Sequence, residues 1–146
     1  SVFSSNRFIP VGKFFLFRPS TQMNDNKILS LFLNSICMLC QVMYGRAETT
    51  GAYFDIKKSD YKDMFVPDLN KLSSRGKQIL LTLFKKLRNV EFTRTLINYL
   101  LEQGILEELD RAILKILGFS SKEIEEWLPR IYDMLVEELK GMKEVK

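Results

Sequence analysis

Cys37-Met38-Leu39-Cys40 places the chain's two cysteines in a CxxC spacing. That spacing suits a dithiol redox pair or half of a zinc site. A structural zinc needs four ligands, and the sequence holds neither a second cysteine pair nor any histidine. Both thiols fall in the most apolar stretch of the chain, which favours two buried thiols, with a redox pair as the alternative. The absence of histidine also removes histidine triads, histidine–zinc catalysis and the commonest general base. Carboxylate, lysine and tyrosine chemistry stay open. None of the seven glycines falls in a GxGxxG or GxxxxGK pattern, so no phosphate-cradling loop is visible. There is also no HExxH, GxSxG or EF-hand loop. Glu107-Glu108 and Glu125-Glu126 lie on amphipathic helical patterns and read as solvated faces. Trp127 and Tyr132 have acidic neighbours, which favours packing over base stacking.

Basic side chains are the second set with chemical meaning. The net charge is +4, from 22 basic and 18 acidic residues. Between Lys71 and Arg94 stand Lys71, Arg75, Lys77, Lys85, Lys86, Arg88 and Arg94 against the single acid Glu91. From Thr95 onward, acids outnumber bases. A basic segment followed by an acidic one fits a nucleic-acid face beside a scaffold, or two solvated surfaces. Lys77, Lys85 and Arg88 share one helix face, a geometry suited to phosphates. Arg46 and Thr50 lie in a polar loop between a helix and a strand, where they can reach base edges or phosphates. Lys57 and Lys58 follow that strand directly.

These residues need elements to hold them. Residues 1–20 read as extended: Phe8-Ile9-Pro10-Val11 and Phe14-Phe15-Leu16-Phe17 are aromatic and β-branched runs. Pro10 and Pro19 place them as edge or terminal strands. Residues 24–44 read as one helix, capped by Asn24 or Asp25 and stopped at Gly45. Its apolar positions include Ile28, Leu31, Phe32, Leu39 and Val42, so it should be the buried centre. Ala52 to Ile56 reads as a short strand, and Ser59 to Met64 as a helical turn or two. From Ser73 the pattern becomes helical throughout. Ser73 or Ser74 caps a helix with Ile79, Leu80, Leu83, Phe84 and Leu87 inward. Further helices cover about 93–102 and 106–117, the latter ended by Gly118. The last starts at Ser120, where Ser120 and Glu123 form a capping box. Its apolar stripe runs from Ile124 to Met142, and Pro129 should kink or restart it.

One stretch is more specific. Leu31-Phe32-Leu33-Asn34-Ser35 is followed by Tyr44-Gly45-Arg46, then by Thr49-Thr50-Gly51-Ala52-Tyr53-Phe54-Asp55-Ile56, and finally by Met64-Phe65-Val66-Pro67-Asp68. Together with Arg7-Phe8-Ile9-Pro10 and Phe17-Arg18-Pro19, these segments resemble the region after the catalytic domain in N6-adenine DNA methyltransferases of restriction–modification systems. The resemblance covers about residues 7–70. It implies that Asn34, Ser35, Arg46, Thr50, Gly51 and Tyr53 occupy motif positions, with Asn34, Ser35, Gly51 and Tyr53 mainly architectural. Methyl transfer in that family needs an S-adenosylmethionine loop and an NPPY or NPPF motif that holds the flipped adenine. Neither occurs here, so S-adenosylmethionine is expected only in a separate catalytic domain.

The expectation is therefore an α+β, mainly α, chain in two parts. Residues 1–70 form a mixed α/β region and residues 71–146 a bundle of about four helices. The expected function is non-catalytic binding of duplex DNA on the target-recognition side of an adenine methyltransferase, beside its catalytic domain or subunit. Arg46, Thr50, Lys57, Lys58, Lys77, Lys85 and Arg88 are the DNA-contact candidates. The alternative is a helical module that docks a partner, or a second copy, through the Ile124–Met142 stripe. No uninterrupted apolar run reaches the roughly 18 residues of a membrane span, and no signal peptide is visible, so the expected location is the cytoplasm. The chain opens on Ser1, which fits a fragment of a longer protein.

Overall fold

The computed structural model describes residues 22–45, 63–90, 98, 100–101 and 104–144. Among the described residues, five helices have defined bounds: α1 (Met23–Phe32), α2 (Ile36–Gly45), α3 (Ser74–Leu87), α4 (Ile105–Ile116) and α5 (Ser121–Glu144). No strand occurs among the described residues. This corrects the α+β expectation: the described part of residues 1–70 is helical core rather than a strand-containing motif. The strands read at 1–20 and 52–56 lie outside the described residues. Asp63 and Met64 are not helical, and the rest of the turn expected at 59–64 lies outside. Of the helix expected at 93–102, Asn98, Leu100 and Leu101 are helical.

The single helix expected at 24–44 is two helices, whose axes meet at 61°. The break sits at Leu33-Asn34-Ser35 and has a local cause. The Ser35 hydroxyl donates to the Phe32 carbonyl at 2.7 Å, and the Asn34 amide donates to the Ser30 carbonyl at 2.7 Å. Short polar side chains of this kind compete with the helix for backbone partners. The backbone tightens there, with Asn34 bonded to Leu31 and Ser35 to Phe32.

The other helix ends follow local rules. Ser73 Oγ accepts from the Gly76 amide at 3.0 Å and starts α3. Ser120 and Glu123 bond each other's backbone amides reciprocally, at 3.2 and 2.8 Å, and start α5. These side chains satisfy amides that have no partner inside the helix. The Ser120 bonds also hold the Glu123 carboxyl below its usual range. Gly118 ends α4 with φ +101°, a backbone region that favours glycine. α5 runs through Pro129 as one element.

The break between α1 and α2 divides the core. Ile28, Leu31 and Phe32 of α1 join Leu80, Leu83, Phe84 and Leu87 of α3 and Leu109 and Ile113 of α4 in one cluster. Ile36 of α2 joins Leu100 and the α5 residues Ile124, Leu128, Tyr132, Leu135, Val136 and Leu139 in a second. Cys37 packs against both. The two expected regions thus share their core. The α5 stripe is spent on this packing, since Ile124, Leu128, Leu135 and Leu139 are all buried. Each such leucine or isoleucine contributes about 1.5–3 kcal/mol by leaving water. Among the described residues, no single helix is long and apolar enough to cross a membrane.

Candidate nucleic-acid interface

The basic face expected on the third segment belongs to α3. Its inward side carries Leu80, Leu83, Phe84 and Leu87, which leaves the basic side chains turned outward. Arg75, Lys85 and Arg88 are exposed and have no ion-pair partner among the described residues. Gln78 and Thr82 are exposed on the same helix. Lys86 is paired with Glu108 of α4. Lys77 differs from Lys85 and Arg88. Its ammonium lies 3.5 Å from Asp25 Oδ1 of α1, and its side chain is only 32% exposed. Lys77 therefore ties α3 to α1, while Lys85 and Arg88 are available to a ligand. The acid-free outer face of α3 can hold phosphates by charge and by flexible ammonium and guanidinium donors.

Arg46, Thr50, Gly51, Tyr53, Lys57 and Lys58 lie outside the described residues. Asn34 and Ser35 sit in the α1–α2 break, Asn34 exposed and Ser35 buried, both bonded to backbone carbonyls of α1.

A buried polar group that sequence reasoning missed lies behind that break. Asp110 of α4 is 2% exposed. Its Oδ1 accepts from the Ile36 amide, the first of α2, at 2.7 Å. Its Oδ2 accepts from the Tyr132 hydroxyl of α5 at 2.6 Å. One carboxylate thus caps α2 and tethers α5. Burial pushes the Asp110 carboxyl up from 3.8 to about 6, against the pull of its two hydrogen bonds, and Glu107 adds to the rise. Burial, the Asp110 charge and the shared hydrogen bond hold the Tyr132 phenol above its usual range. The available signal was an acid between the buried positions Leu109 and Ile113 of an amphipathic helix, since such an acid needs donors. Beside it, Leu33, Ser35, Leu39, Leu100, Leu106 and Asp110 line a cleft of about 240 Å³.

The surroundings of the two half-buried thiols disfavour the thiolate. Burial, followed by the Asp110 charge, raises the Cys37 thiol to about 11, and the same causes raise Cys40. Reactive cysteines need the opposite environment, because the thiolate is the nucleophile and the ligand. Among the described residues, no group of three Cys, Asp or Glu side chains could hold a metal ion. Comparison of the chain with family models, with curated proteins and with solved structures finds no match.

Proposed function

We propose that the chain is a duplex-DNA-binding region on the target-recognition side of an N6-adenine methyltransferase-like protein. The observation that carries this reading is the outer face of α3, where Arg75, Lys85 and Arg88 stand exposed without an acid on the helix. The likeness of residues 7–70 to the post-catalytic segment of such enzymes supports it. In this reading α3 holds the phosphate backbone, and Asn34 and Ser35 shape the helix break behind it. A separate domain or subunit supplies S-adenosylmethionine, flips the adenine and transfers the methyl group. The chain alone transfers none.

Fluorescence anisotropy with random-sequence duplex DNA tests this directly. Binding carried by several phosphates weakens by orders of magnitude as salt rises. Lys85→Glu with Arg88→Glu should abolish the low-salt binding. Absence of binding at low salt, or binding indifferent to that double reversal, refutes the role of α3.

A further inference from the structure

We propose that the outer flank of α5 binds the basic face of α3 on a second copy of this chain. The inference needs no DNA and does not depend on the methyltransferase reading. Trp127 is 54% exposed and Met134 is 68% exposed. They stand two turns apart, so they share one flank beside the buried stripe. Arg130, between them, lies over the Trp127 ring at 5.6 Å. A large aromatic side chain exposed at a helix surface is the kind of residue that anchors protein interfaces.

The charges around this flank specify the partner. Glu123, Asp133 and Glu137 are exposed on or beside it, together with Glu126, which pairs with Arg130 at 3.7 Å. The helix α3 is the opposite: it carries no acid, and Arg75, Lys85 and its C-cap Arg88 stand exposed with no ion-pair partner among the described residues. Pairing α5 with α5 sets acids against acids, and pairing α3 with α3 sets bases against bases. Either arrangement is penalised by like charge. Of these three pairings α5 against α3 is the complementary one, and both faces point to solvent on one molecule, so the complement comes from another. The contact is head-to-tail rather than two-fold symmetric. It also competes with any phosphate for Lys85 and Arg88.

Sedimentation velocity on the full chain, at low and high salt, reads the association. The wild-type chain should self-associate at low salt and dissociate at high salt, as screened charges require. Asp133→Lys with Glu137→Lys should leave a monomer, and so should Lys85→Glu with Arg88→Glu. All four residues are exposed, and circular dichroism would verify that both variants fold. The decisive sample is an equimolar mixture of the two variants. Each then carries the face the other lost, so the mixture should associate at low salt although neither variant does alone. Trp127→Ala should weaken wild-type association by roughly thirtyfold. A wild-type chain that stays monomeric at low salt overturns the proposal. So does a mixture that remains monomeric, or a charge-reversed variant that still associates by itself.

Discussion

Tyr132 of α5 donates its hydroxyl hydrogen to Asp110 of α4 at 2.6 Å, inside the core. The same carboxylate receives the first amide of α2 at 2.7 Å. Three helices therefore meet on one acidic side chain. A charge buried to this degree is costly even when hydrogen-bonded. The consequence is a pH dependence with a definite sign. The folded chain binds the Asp110 proton up to about pH 6, whereas an ordinary aspartate releases it near 3.8. Between those values the folded state holds more protons than the unfolded state. Stability from this group is thus greatest in acid and falls as pH rises through that window, by about 3 kcal/mol. Asp110→Asn keeps an acceptor for Ile36 and a partner for Tyr132 but cannot ionise. Urea unfolding of both proteins across the window should show a decline in the wild type that the variant lacks. Parallel pH profiles would contradict the buried-charge account.

Lys77 and Lys85 lie on the same helix but should respond differently to truncation. Lys77 neutralises Asp25, which is 9% exposed. Removing the ammonium takes a charge contact from a buried carboxylate, and Lys77→Ala should cost about 1–2 kcal/mol. Lys85→Ala should change stability by less than about 0.5 kcal/mol, as exposed substitutions do. Its effect should appear in DNA affinity and salt slope instead. Thermal denaturation and anisotropy on the two variants separate the roles.

Leu128 and Trp127 are sequence neighbours with opposite environments, 1% and 54% exposed. Leu128→Ala opens a cavity in the second cluster and should cost about 2–5 kcal/mol. Trp127→Ala removes a surface ring and should cost under about 1 kcal/mol. Equal losses in chemical denaturation would mean that Trp127 is part of the core.

Gly118 offers a purely conformational test. A Cβ there would meet nothing within 4 Å, yet φ is +101°. Gly118→Ala should therefore cost about 1–3 kcal/mol from backbone strain alone. A neutral result in calorimetry would show that the α4–α5 turn can adopt another conformation.

Three helix boundaries from Ser73 onward were legible in the sequence. Ser73, the Ser120–Glu123 box and Gly118 act through bonds or dihedrals spanning a few residues, so their spacing is sufficient. The stripe Ile124, Leu128, Leu135 and Leu139 was equally plain, because burial follows helical period. What the stripe packs against was not, and the structure spends it on the chain's own core. The basic segment was visible as composition, but only tertiary structure separates Lys77, held by Asp25, from exposed Lys85 and Arg88. The break at Asn34-Ser35 was hidden in a nearly continuous apolar run that reads as one helix. Its new helix start is satisfied by Asp110, 74 residues further along the chain. Local patterns encode local hydrogen bonds. A carboxylate that closes one helix from another and is tethered by a third exists only once the chain has folded.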